Sequence, residues 1–338
     1  MSNESNTETE EAEVDDATLI QQAEAEAAEE RLLNAAKLLR KVKDKEVLTK
    51  KHRTILRWSV TVKDSMKALL ESPDAEGSAW TKQSESHGDR DFFVYYQVEP
   101  ETNKLFCRIE SSIESSLLVP LLSVFNESSL YQEWMPSWKK PFKLGVQESN
   151  TLAEYGRGNQ IIQVKVAMPF FFATREVMMH AVAVDVIEEE GVIAIQVKSE
   201  TTQDDSVIPE PKKGEVRIDF ESSILVQGCP EDHPLYPKSE EQRSKLPEGD
   251  EIIHIGMRMT VNSHVHGVPM SFINFATRTV IGTMWGQLLQ VAESVRDGEM
   301  SLHREKIKEK AELYDWIKER MDAMVAKVKE EQKTKEQL

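Results

Sequence analysis

Between Ile253 and Val295 the chain changes its hydrophobic period once, and that change limits what it can fold into. Ile253, Ile255, Met257, Met259 and Val261 alternate with His254, Gly256, Arg258 and Thr260. Such a period of two marks a strand buried on one face. From about Ser271 to Val295 the apolar residues fall instead at helical spacing: Phe272, Phe275, Ala276, Thr279, Ile281, Met284, Leu288, Ala292 and Val295. They give one long helix a wide apolar stripe. A strand and a helix of this kind each need an apolar surface to cover them.

The upstream sequence supplies more of the same sheet. Phe92, Val94, Tyr96 and Val98 alternate, as do Leu105, Cys107 and Ile109, and the turn-rich residues 99–103 join them as a hairpin. The apolar run from Ser116 to Phe125 reads as a short helix with Pro120 in its first turn. Further strands are expected at Ile162–Met168, Val177–Val186, Val192–Val197 and Val216–Phe220, and a charged, proline-rich loop from Pro230 to Gly249. The expected class is α+β: a curved antiparallel β-sheet wrapped around the long C-terminal helix, with extra N- and C-terminal helical arms. The space between sheet and helix is either filled by side chains or occupied by a ligand.

Composition shifts divide the chain. Residues 1–16 are acidic, with little to bury, and are expected to be disordered. Residues 17–53 read as a helical arm whose apolar positions run from Leu19 to Leu39 at helical spacing. Residues 1–30 hold eleven acids and no bases, whereas Arg31 to Arg53 hold nine bases and two acids, an order that suits the helix dipole. Residues 54–297 form the expected domain, opened by a helix through Leu56, Val60, Met66 and Leu70. Residues 298–338 read as a charged helix with Ile307, Tyr314, Ile317, Met321, Met324 and Val328 near heptad positions, so coiled-coil pairing or helix-mediated self-association is open to it.

Several functions are disfavoured. A net charge of −17 argues against nucleic acid as the main partner. Cys107 and Cys229 stand alone, without CxxC spacing, which points to reduced thiols in a cytoplasmic protein rather than a disulfide framework or zinc site. The N-terminus lacks the basic and apolar regions of a secretory signal, and no stretch is long and apolar enough to span a bilayer. There is no GxSxG, HExxH or GxxxxGK motif. His264 and His266 would share a strand face, but no third ligand stands near them in sequence, so neither a metal nor a cofactor is expected. The cluster Lys41, Lys43, Lys50 and Lys51 is a candidate for docking on anionic headgroups.

Three local patterns lie in order within residues 54–297: Tyr131, Trp134, Pro136 and Trp138; then Pro169, Phe170, Phe171, Phe172, Arg175 and Glu176; then Gly267, Pro269 and Phe272. Together they resemble the StAR-related lipid-transfer (START) family, with Glu176 where that family has aspartate. The resemblance implies a helix-grip fold whose cavity takes one lipid, phospholipid or sterol. It also implies a gate at Met168–Thr174 against a helix beginning near Met270, and transient contact with a membrane surface. Carried onto this sequence, the cavity and gate residues are Met168, Phe170, Phe171, Phe172, Arg175, Ile162, Val164, Ala181, Met257, Met259, Phe272, Phe275 and Met284. Some sterol-transfer members hold a buried acid and a buried arginine near the positions of Ile162 and Ala181. Both are apolar here, which weakens the sterol reading; His180 or Tyr155 are left as headgroup partners. The expected function is non-catalytic binding of a lipid-like ligand, with transfer or sensing between membranes and a cytoplasmic location peripheral to them. A ligand-free interaction scaffold and a cavity enzyme acting on a hydrophobic substrate remain as alternatives.

Overall fold

A computed structural model describes residues 14–87, 91–99, 101, 104–135, 137, 145–168, 173–199, 207–244, 246–261 and 270–336; residues 84–87, 240–241, 261, 270–280 and 331–336 are given by their backbone alone. The chain forms two compact units, 1–61 and 62–338.

The first unit contains α1 (Asp16–Ala28), α2 (Leu32–Lys41) and the first half of α3 (Lys50–Leu70). Asp15 caps α1 by accepting the Thr18 amide at 2.9 Å. The helical pattern from Leu19 to Leu39 is not one helix. Glu30 takes φ +57°, and the Arg31 amide turns back to the Glu26 carbonyl at 3.0 Å. Apolar spacing survives such a break, so periodicity alone could not reveal it. Lys45 belongs to the basic run but is used locally, donating to the Arg40 and Val42 carbonyls at the end of α2. Lys41, Lys43, Lys50 and Lys51 are exposed.

The second unit is built on a ten-stranded sheet. Its N-terminal strands are β1 (Thr81–His87), β2 (Asp91–Val98) and β3 (Leu105–Glu114). After α4 (Leu118–Asn126) and α5 (Tyr131–Trp134) come β4 (Gly145–Glu154), β5 (Asn159–Ala167) and β6 (Thr174–Val186). The short helix α6 (Ile187–Glu190) ends at Gly191, whose φ of +72° favours glycine, and turns the chain into β7 (Val192–Ser199). Then follow β8 (Glu215–Arg217), β9 (Phe220–Gly228), α7 (Glu240–Arg243) and β10 (Ile252–Val261). The long helix α8 (Met270–Arg296), α9 (Ser301–Glu309) and α10 (Ala311–Glu336) complete the unit.

The strand order is β1-β2-β3-β10-β9-β7-β6-β5-β4, antiparallel throughout, with β8 added parallel to β6. The path is open, because β1 and β4 lie at opposite edges. One face carries Ile109, Ile162, Val164, Ile193, Ile224 and Met257 into a cluster shared with Leu121, Val124, Trp285, Leu288 and Leu289 of the helices. This is the helix-grip arrangement expected from the sequence.

The sheet differs from expectation in four respects. β1 and β4 were not anticipated; both are polar edge strands interrupted by register shifts, so no hydrophobic alternation marks them. The strand expected through Val216, Ile218 and Phe220 is two, because the chain leaves β6 after Arg217 and joins β7 and β10 from Phe220. Helices are not confined to one face: Val62, Met66 and Leu69 of α3 lie over Ala194, Ser223 and Leu225 on the other. The tail is no free arm either. Leu313, Tyr314, Ile317, Met321 and Met324 belong to the main core, so the stripe that suggested coiled-coil pairing is satisfied within its own chain.

Candidate functional site: an apolar hollow between sheet and helices

Residues of opposite parity on each strand face opposite ways, and here one parity encloses space. A cavity of about 410 Å³ lies against the inward residues of seven strands, β3 to β7 together with β9 and β10. Across β5 the wall is Gln160, Ile162, Val164 and Val166; across β6 it is Val177, Met179, Ala181 and Ala183. Ile193, Ile195 and Val197 of β7, Ile224 of β9 and Met257 and Met259 of β10 continue it. Wall residues from so many strands require the sheet to curl. Helices close the other side through Phe125, Trp134, Met284, Trp285 and Leu288, and α10 adds Leu313, Trp316 and Ile317.

Of the residues named from the sequence, Ile162, Val164, Ala181, Met257, Met259 and Met284 line this one space. Met168 is half-buried just beyond β5. Arg175 is 4% exposed on β6, and its Nη1 donates to the Ala173 carbonyl at 2.7 Å rather than forming part of the wall. Phe170, Phe171 and Phe172 lie outside the described residues, as do the side chains of Phe272 and Phe275 and the pair His264 and His266. His180 faces away from the hollow, where it meets Asn159 Oδ1 at 2.7 Å, and Tyr155 is exposed. Neither serves as the interior polar partner suggested for it.

Sequence reasoning missed the polar members of the wall. Gln160, Ser222 and Asn126 sit among apolar neighbours, and Arg157 is the charged side chain among the described wall residues. It is half-buried at the turn before β5, its guanidinium 5.5 Å from the centre of the Trp316 ring. Gln160 was legible in principle, since it shares parity with Ile162 and Val164. The contribution of α10 was not, because nothing in a heptad-like stripe says which surface it covers.

Polar fasteners hold α10 and the segment before it in place. The Tyr314 hydroxyl donates to Glu127 Oε1 at 2.6 Å, and burial pushes the pKa of that phenol up. Lys310 reaches Glu127 at 3.2 Å and Glu154 at 2.7 Å, Arg320 meets Asp185 at 2.7 Å, and Lys327 donates to the Ile187 carbonyl at 2.9 Å.

The opposite face of the sheet carries a buried ionic network. Arg108 donates to Glu110 and to the Ala68, Leu69 and Glu71 carbonyls at the end of α3, at 2.7–2.9 Å for the carbonyls. Glu110 also pairs with His254, whose second nitrogen meets Gln227 at 3.0 Å. Burial raises the Glu110 pKa, but His254 and Arg108 outweigh it and hold the carboxyl below its usual value. His233 packs on His254 with ring centres 4.3 Å apart. Glu110, His233 and His254 bring candidate metal-ligating atoms within 4.8 Å of one another. However, the His254 nitrogens are engaged by Glu110 and Gln227, and His233 Nδ1 accepts the Leu235 amide at 3.2 Å. These contacts make the cluster a structural tie.

A curled antiparallel sheet gripping one long helix around an apolar hollow is a helix-grip arrangement. No protein-family model matches the sequence, and no curated protein matches it. Among solved structures the chain is similar to human STARD10, at 12% identity and a TM-score of 0.49 over 69% of this chain and 78% of that one. It is also similar to human StAR-related lipid transfer protein 5, at 13% identity and a TM-score of 0.48 over 71% and 97%. A StAR-related lipid transfer protein fragment from Xanthomonas axonopodis shares 16% identity, with a TM-score of 0.43 over 65% and 99%. With identities of 12–16% and TM-scores below 0.5, the likeness says nothing of a ligand or an activity.

Proposed function

We propose that the second unit binds one lipid-like molecule in the hollow and transfers or senses it between membranes, without catalysing a reaction. The observation that carries this reading is the cavity itself, about 410 Å³ with mostly apolar walls. That volume falls within the roughly 300–1,000 Å³ typical of small-ligand sites. Filled with water alone, its apolar walls lack the close contacts of a packed interior. An apolar ligand restores those contacts.

The gate we infer is Met168–Thr174, the connection that leaves β5 just after the wall residue Val166. The apolar run Phe170, Phe171 and Phe172 is chemically suited to meet a ligand or bilayer, and the helix beginning near Met270 is the proposed other side of the gate. Exposed Lys41, Lys43, Lys50 and Lys51 would help the protein dock on anionic membranes, each contributing about 1 kcal/mol close to the surface.

Native mass spectrometry of the purified protein tests the reading, with expected detection of one bound lipid per chain and extraction of fluorescent lipid from vesicles. Ala181→Trp, which fills the hollow from β6, should lower extraction at least tenfold while the protein stays folded. An empty protein that also extracts nothing would end the proposal.

A further inference from the structure

Among the described residues, the wall of the hollow carries charge of one sign. Arg157 contributes it, and no aspartate or glutamate stands with it in the wall. It occupies the turn between β4 and β5, half-buried beside the wall residue Gly158. The charged tip, and not the stem alone, belongs to this wall, because the guanidinium lies 5.5 Å from the centre of the Trp316 ring, which also lines the hollow. Trp316 is half-buried too, so the pair keeps contact with solvent. From there the wall runs along β5 through Ile162 and Val164 to Val166. The nine residues of that strand span about 30 Å, and the inferred gate begins beyond its far end.

A cation in an otherwise apolar wall sorts lipids by their heads. Opposite charges attract more strongly where water is thin, and the guanidinium fork matches two oxygens of a carboxylate or phosphate. A neutral head gains less, and a cationic head is repelled. Because Arg157 is half-buried rather than sealed, an anionic head beside it keeps part of its hydration, which limits the desolvation cost. Resting on the reading of the hollow as a lipid site, we propose that its ligand is a lipid whose head bears net negative charge, a carboxylate or a phosphate. Arg157 holds that head at the β4–β5 turn, and the chain lies along β5 toward the gate. The net charge of −17 works against anions in general. A preference for them therefore has to be made locally, at the wall.

The test sets straight-chain amphiphiles of equal length against one another: dodecanoate, dodecyl phosphate, dodecan-1-ol and dodecyltrimethylammonium. Each displaces 1-pyrenedodecanol from the full-length protein at neutral pH, where both anions are ionised. The better anion should bind about tenfold tighter than dodecan-1-ol, a difference of about 1.4 kcal/mol, and the ammonium should bind most weakly. Which anion leads tells a carboxylate head from a phosphate head. In Arg157→Met the anions should fall level with dodecan-1-ol or below it, and in Arg157→Glu the ammonium should overtake both. Anions that bind no tighter than dodecan-1-ol to the wild-type protein overturn the proposal and leave the lipid reading standing. An anion preference that survives in Arg157→Met overturns it as well. Should the variants not fold, the wild-type order decides alone. Should none of the amphiphiles displace the probe, the lipid reading itself fails and takes this inference with it.

Discussion

The two faces of the sheet solve opposite problems with the same strands. On the face covered by α3, polar side chains are buried and paired. Glu176 accepts from Arg217 at 2.8 Å and Gln163 at 2.6 Å, Lys165 meets Glu215 at 3.1 Å, and Ser223 donates to Gln196 at 2.7 Å. On the face that meets α8 and α10, side chains are mostly apolar and yet leave space, and Gln160 Oε1, Ser222 Oγ and the Trp134 and Trp285 indole N–H groups lack partners among the described residues. A face whose charged groups are tied to one another has little left for a ligand. The other holds contacts in reserve. Stability and binding should therefore separate by side-chain parity along a single strand.

The largest expected effect lies on the saturated face. Glu110→Ala leaves Arg108 buried beside α3 without its counter-charge and should cost about 3–5 kcal/mol in denaturant unfolding. Lipid extraction, measured at a temperature where the variant is folded, should be unchanged; lost extraction would show that the two faces are not independent. Next comes Tyr314→Phe, which removes the donor to buried Glu127 and should cost about 1–3 kcal/mol. If it also speeds ligand release, α10 is a moving wall as well as a fixed one.

The smallest effect concerns pH. Burial, with help from His254, lowers the His233 pKa from 6.5 to about 4. The unfolded chain therefore takes up a proton near pH 6.5 that the folded chain refuses until about 4, and stability falls as pH drops through that window. His233→Gln should flatten this part of a melting-temperature profile against pH. An unaltered slope would assign the acid sensitivity to another group.

The sequence revealed β10 and α8 more clearly than their neighbours because each buries one face and exposes another, so period and structure coincide. β4 remained hidden for the converse reason. Its residues from Val146 to Ala153 are nearly all half-buried, and an edge strand with two register shifts needs no alternation. In the candidate site, Ile162, Val164, Ala181, Met257 and Met259 were legible as inward-facing, since alternation assigns faces directly. Leu313 and Trp316 were not, because the partner of a helical stripe is decided by tertiary packing. Gln160 marks the same boundary from the other side: its face could be read, but not its hydrogen bond to Asn126, 34 residues earlier.

The place of β10 in the strand order also governs how the molecule is made. β1, β2 and β3 pair with near neighbours in sequence, and so do β4 to β7 with β9. These two curls have no common ladder until β10 lies between β3 and β9, pairing Ile253 with both Ile113 and Gly228. The first of those pairings closes a loop of about 140 residues, an entropic toll that favours its late formation. Before that moment the chain holds two shallow half-shells, and neither encloses anything. A ligand therefore cannot be trapped by the early folding steps, and must find its way in once the last seam is sewn.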